Sequence, residues 1–170
     1  IPIDCVAGTS MGSIIGRLYA LGYSPDEMQE IISNIDWGTY MTDRIAEKSL
    51  SYQERLNRAQ YLVEVPFSIR AKSSVSLLQT LPGGFVSGNK LENLFNRLCY
   101  GYQGELNFDD LPRQFACVAT DIVSGREIVL RKGNLPKAIR SSMAIPGVFV
   151  PVRMGDMVLV DGGLKNNMPV

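Results

Sequence analysis

A chain of 170 residues with 45% hydrophobic content has enough apolar material for one domain with a substantial core, and requires no second. Its 17 basic and 17 acidic residues cancel, which removes the electrostatic footprint of a nucleic-acid binder or a basic membrane-surface protein. There is no histidine, and the three cysteines, Cys5, Cys99 and Cys117, are widely spaced in mostly apolar sequence. That pattern reads as buried free thiols rather than a disulfide framework, leaves almost nothing from which to build a zinc site, and gives no reason to expect a cofactor.

In chain order, residues 3–7 read as a strand that runs into Gly8-Thr9-Ser10-Met11-Gly12. Residues 11–21 follow as a helix with Ile14, Leu18 and Leu21 on one buried face; Gly12 and Gly16, four apart, are expected to let its backbone press on the sheet, and Gly22 stops it. Ser24-Pro25-Asp26-Glu27 is a helix start for a second helix reaching about residue 35. Residues 36–84 are mixed in polarity and read as an insertion forming a mobile cover over the core, with strand-like content at 61–69 and a turn at Leu81-Pro82-Gly83-Gly84. Ser87 is placed to cap a helix over 89–99 whose apolar side is Leu91, Leu94, Phe95 and Leu98.

Residues 114–122 and 126–130 read as a hairpin closed by Val123-Ser124-Gly125, with Lys132-Gly133-Asn134 turning the chain again. A short helix over 135–143 and strands at 148–150 and 157–160 complete the pattern. Alternating strands and helices favour an α/β sandwich. No apolar run approaches the roughly 20 residues that span a bilayer, and nothing in the sequence fixes a compartment. The start at Ile1 without methionine and the stop at Val170 read as a piece cut at both ends, for which self-association through uncovered sheet backbone is expected.

The chemistry centres on Gly8-Thr9-Ser10-Met11-Gly12. A G-x-S-x-G pentapeptide between strand and helix is the pattern of a nucleophile elbow, a strained turn that lifts a serine hydroxyl out of the sheet. With no imidazole in the chain, the base for Ser10 has to be another group, and the candidate is Asp161 in Asp161-Gly162-Gly163. The two glycines would let the backbone turn sharply beside the acid. Each residue also has a plainer reading: Ser10 as a helix cap, Asp161 as a turn residue, Asp121 as a structural hydrogen-bonding acid, and Ser141 and Ser142 as helix-end polar residues. Two other function classes stay open, a module that cradles a phosphate or phospholipid headgroup on backbone N–H groups, and a non-catalytic interaction domain that keeps a hydrolase fold.

Four motifs in order, Gly8-Thr9-Ser10-Met11-Gly12, Ala119-Thr120-Asp121 with Ser124-Gly125, Ser141-Ser142-Met143-Ala144-Ile145-Pro146 leading to Phe149-Val150-Pro151-Val152, and Asp161-Gly162-Gly163, resemble the patatin-like phospholipase family over almost the whole chain. The resemblance implies a three-layer α/β/α sandwich with a central, mostly parallel sheet, forming a single catalytic domain over residues 1–170. It implies hydrolysis of lipid acyl esters, of phospholipase A or lysophospholipase type, through an acyl-enzyme. A serine-aspartate dyad of that kind transfers to Ser10 and Asp161, with the Met11 N–H as an oxyanion donor. The family's glycine-rich oxyanion loop would lie upstream of Ile1. The implied partners are a lipid or other acyl-ester substrate and a peripheral membrane contact, and no nucleic acid.

Overall fold

Eight residues from Gln114 to Asp121 form the strand around which the sheet is built, and from Phe115 onward every one of them is buried. The structure, a computed structural model, describes residues 3–41 and 84–169. These belong to one compact unit, made of Ile1–Asp43 and Gly83–Val170. Its strands are β1 (Cys5–Thr9), β2 (Gly84–Val86), β3 (Glu105–Asn107), β4 (Gln114–Asp121), β5 (Arg126–Leu130), β6 (Lys132–Asn134), β7 (Gly147–Phe149), β8 (Val152–Met154) and β9 (Met157–Asp161). Its helices are α1 (Met11–Ala20), α2 (Pro25–Ser33), α3 (Trp37–Tyr40), α4 (Asn89–Leu98) and α5 (Leu135–Ser142).

The class is mixed α/β, as expected. β5 runs antiparallel along one edge of β4 over Cys117–Asp121. The other edge is shared end to end: β1 pairs parallel with Gln114–Val118, and β9 pairs antiparallel with Ala119–Asp121. β8 adds to β9 antiparallel. The parallel pairings among the described strands are β1 with β4 and β2 with β7, and the antiparallel ones in the main sheet include two hairpins, where short turns leave the chain no other way to pair. Phe115, Cys117 and Ala119 point from β4 into an apolar cluster with Ile14 of α1, Leu91 and Phe95 of α4 and Ile139 of α5.

Local chemistry explains most element ends. α2 starts with a full capping box, in which the Ser24 hydroxyl accepts from the Glu27 amide and the Glu27 carboxylate accepts from the Ser24 amide. In α1, Gly16 alone fulfils the expected close approach, since a methyl there would meet Phe115 and Val6 at 3.4 Å, whereas Gly12 faces open space. The N-cap position of α4 is Gly88, left-handed and without room for a side chain beside the Arg140 guanidinium, while the Ser87 hydroxyl serves the helix start as expected by accepting from the Asn89 amide at 3.3 Å. Lys132–Asn134, expected as a turn, is β6, paired with β3. Cys99 and Cys117 are buried thiols, and burial pushes both of their pKa values up, but Cys5 is exposed. Of the cover expected over 36–84, residues 42–83 lie outside the described residues, and with them the expected strand at 61–69 and positions 81–83 of the turn expected at 81–84. Residues 36–41 hold the cap and body of α3, whose Trp37 and Tyr40 pack against the core, and Gly84 opens β2.

Asp121 closes the β4–β5 turn as the structural acid expected of it. Its carboxylate accepts from the Ser124 hydroxyl and from the amides of Ser124, Val123 and Val158. The Ser124 hydroxyl above all, and then these amides, hold the carboxyl pKa down to about 2, against an ordinary value of 3.8. A carboxyl depressed in the folded state contributes stability that is complete above its ordinary value and is lost as pH falls towards about 2. Asp121→Asn is therefore expected to melt below the parent near neutral pH, with the gap closing as both are acidified from about pH 4 to about pH 2. Thermal melts across that range check this, and a gap that stays constant counts against the assignment.

Candidate active site

Ser10 sits where β1 ends and α1 begins, with φ 54° and ψ −124°. Among the described residues it is the one non-glycine with positive φ. Such a conformation costs on the order of 1–3 kcal/mol and persists only where the surroundings impose it. Gly8 is one cause, because a methyl there would lie 2.4 Å from the Gly12 carbonyl oxygen, so only glycine lets the first turn of α1 fold back this tightly on β1. The Ser10 carbonyl accepts from the Ser13 amide and hydroxyl. The Ser10 hydroxyl makes no capping bond to the helix, which sets aside the plainer reading of this residue. The first helical amide, that of Met11, has no partner within its own helix by geometry, and no acidic side chain occupies the first turn of α1.

Asp161 is the last residue of β9 and is buried, with 7% of its surface exposed. Its amide donates to the Ala144 carbonyl at 2.9 Å. One carboxylate oxygen, Oδ1, accepts from the Gly163 amide at 2.7 Å, capping the short turn Gly162–Leu164. The turn role read from the sequence is thus real, and it fixes the carboxylate. Gly163 lies close under it, since a methyl there would meet Oδ1 at 3.0 Å.

The register of the sheet brings the two residues together. Thr9 pairs with Val118 and Asp161 with Ala119. Because β5 occupies the opposite edge of β4, Thr9 and Asp161 occupy successive places on the same edge. β1 and β9 run towards each other and stop there, so Ser10 and Asp161 come from near opposite ends of the chain to adjoining strand ends. The Thr9 hydroxyl donates to the Asn166 carbonyl at 2.9 Å, tying the turn after Asp161 back onto β1. The side chains of Ser10 and Asp161 share no hydrogen bond in this structure.

Gly162 has the tightest surroundings at the site. A methyl there would stand 2.3 Å from the Val118 carbonyl oxygen and 3.0 Å from Thr9 Cγ2, and neither the backbone oxygen nor the strand carrying it can yield cheaply. Gly162→Ala is expected to cost about 3 kcal/mol, the upper part of the usual range for overpacking. Denaturant titration measures it, and a loss within experimental error of zero would mean the turn relaxes freely.

Sequence reasoning missed Ser142 as part of this site. Its side chain is fully buried, and its hydroxyl accepts from the Ser10 amide at 2.9 Å while donating to the Val118 carbonyl at 2.6 Å. The paired serines at 141–142 were the available signal, since a hydroxyl at the end of an amphipathic helix facing the core needs partners.

A family model described as Patatin-like phospholipase matches residues 1–170. An uncharacterised NTE family protein of Mycobacterium tuberculosis is 43% identical over 74 residues, covering 44% of this chain and 13% of that protein. Lysophospholipase NTE1 of Debaryomyces hansenii is 26% identical over 170 residues, covering the whole of this chain and 9% of that protein. The chain therefore spans a minor part of the length of these curated relatives. Among solved structures, that of VipD from Legionella pneumophila superposes with a TM-score of 0.55 at 15% identity, covering 98% of this chain and 41% of VipD. The likeness to VipD concerns the fold alone.

Proposed function

This chain belongs to the patatin-like phospholipase family, and from that premise we propose that it carries the catalytic centre of a lipid acyl hydrolase with Ser10 as nucleophile and Asp161 as its base. The observation that carries the reading is the strained Ser10 backbone at a strand-to-helix turn, next to the strand end that delivers a buried carboxylate. Asp161 Oδ1 is held by the Gly163 amide, and the second oxygen has no hydrogen-bond partner among the described residues, which suits it to receive the Ser10 proton. A loose contact before substrate binds is common for such pairs and tightens in the reacting complex.

As Ser10 Oγ bonds to the ester carbonyl carbon, its proton passes to Asp161 and the carbonyl oxygen takes on negative charge, facing the Met11 amide at the positive end of α1. Collapse of this intermediate expels the alcohol, which takes the proton from Asp161, and leaves an acyl-Ser10 ester. Water then gives a proton to the same carboxylate as it bonds to the acyl carbon, and as the acyl–Ser10 bond breaks the fatty acid leaves and Ser10 Oγ takes that proton back from Asp161.

The substrate class is a phospholipid or lysophospholipid acyl ester, a reading supported by the relative named as a lysophospholipase. Exposed apolar side chains close in sequence to the dyad, Met11, Leu164 and Met168, support acyl-chain handling and peripheral contact with a lipid surface. A fluorophosphonate probe tests the proposal on the full chain: mass spectrometry should find the adduct on Ser10. A site that only bound phosphate on backbone amides would bind inorganic phosphate and remain unlabelled.

A further inference from the structure

A direct bond from the Ser10 amide to the Val118 carbonyl would be the closing bond of the Thr9–Val118 pair, since the parallel β1–β4 ladder starts with the Gln114 amide on the Asp4 carbonyl and alternates from there. The structure puts the Ser142 hydroxyl there instead. It accepts from Ser10 N–H at 2.9 Å and donates its own proton to the Val118 oxygen at 2.6 Å. Only a group that is donor and acceptor at once can fill this place, and a hydroxyl is the smallest side chain that can.

We infer that Ser142 is the positioning residue of the nucleophile: its hydroxyl, wedged between Ser10 and Val118, ends the strand ladder and holds Ser10 in the positive-φ conformation of the elbow. The inference rests on the reading of Ser10 as nucleophile and adds a residue that touches neither substrate nor the reacting atoms. Three features support it. Ser142 is fully buried, so water does not substitute for its hydroxyl. It closes α5, whose N-terminal end is fixed by the Asn134 side chain capping the Lys137 amide, so the hydroxyl is presented by a rigid element. The chain just beyond it supplies the Ala144 carbonyl that receives the Asp161 amide, so one helix end holds the backbones of both members of the dyad.

The same geometry excludes other roles for this hydroxyl. Its proton is committed to Val118, so it does not donate to an oxyanion, and the Ser10 amide is committed to Ser142, which leaves Met11 as the first amide free for that task.

The test compares Ser142→Ala with Ser141→Ala in the full chain. Ser141 is equally buried and neighbouring, but its hydroxyl bonds to the Lys137 carbonyl within its own helix and approaches Met154 Sδ, and no bond reaches Ser10. On a short-chain ester, Ser142→Ala is expected to lower kcat at least about tenfold with KM within about twofold, and to slow fluorophosphonate labelling by the same factor as kcat, because a misplaced nucleophile loses rate rather than binding. Ser141→Ala should lower thermal stability without slowing labelling. The Ser10 amide, protected in the parent, should exchange at least about tenfold faster in Ser142→Ala. If the alanine variant does not fold, Ser142→Cys, close in size but a weaker hydrogen-bonding group, is expected to show the same effects to a smaller degree.

Parental labelling and parental exchange at Ser10 in a folded position-142 variant would overturn the inference, as would an equal loss of labelling in Ser141→Ala. A parent that is never labelled, but whose Ser10 amide loses protection on removal of the Ser142 hydroxyl, would refute the hydrolase reading and leave the wedge standing.

Discussion

Ser10→Ala in the full chain is expected to lose ester turnover by at least about 10⁴-fold, together with all phosphonate labelling, because removal of the nucleophile leaves only binding and oxyanion stabilisation to act. The fold should survive. The Ser10 hydroxyl makes no capping bond, and the bonds that fix the elbow, from Ser10 N–H to Ser142 and to the Ser10 carbonyl from Ser13, use the backbone of residue 10 and persist with alanine. Alanine also inherits the φ of 54°, so the strain stays. Ser10→Gly removes both the nucleophile and the strain, and should be inactive yet melt above Ser10→Ala by an amount corresponding to about 1 kcal/mol. Thermal melts and a nitrophenyl ester assay on the same preparations decide both points. Parental turnover in either variant would sink the assignment.

Asp161→Asn is the second large effect, with kcat expected to fall at least about 10²-fold while KM changes little. The structure makes this a clean substitution, since asparagine Oδ1 can keep the bond from the Gly163 amide and so preserve the turn, but the amide cannot accept the Ser10 proton. Asp121 is the internal comparison. Its carboxylate is saturated with four hydrogen bonds that knit a hairpin, so its replacement should show in melting and not in kcat. If Asp121→Asn stopped turnover while Asp161→Asn only softened the fold, the roles of the two acids would be exchanged.

Most of the described elements were legible in the sequence because their signals are local. Ser24-Pro25-Asp26-Glu27 marks a helix start, which the structure realises as a capping box, Gly22 marks the end of α1, and the apolar run at 115–120 reads as a buried strand. The short strands β2, β3 and β8 escaped notice, since three residues carry no periodicity and owe their conformation to a partner far along the chain or across a tight turn. Of the candidate site, the elbow could be read from Gly8, Ser10 and Gly12, yet the reasons for those glycines differ: Gly8 is demanded by the fold of the turn, whereas Gly12 meets nothing within 4 Å. The part played by Ser142 was not legible, because it depends on a hydroxyl falling between two strands more than twenty residues away from it in sequence.

The head-on meeting of β1 and β9 on one edge of β4 also dictates when in the life of the molecule the proposed dyad can assemble. A ribosome adding about 5–20 residues per second delivers Ser10 several seconds before Asp161, and until the late strand docks beside Ala119 the two residues of the proposed dyad do not stand at adjoining strand ends. Under the proposed mechanism the nascent chain is thus chemically silent, and reactivity arrives with the closing of the sheet. Since the same pairing must break before the two strand ends can separate, the site forms, persists and fails with β4 as one cooperative unit.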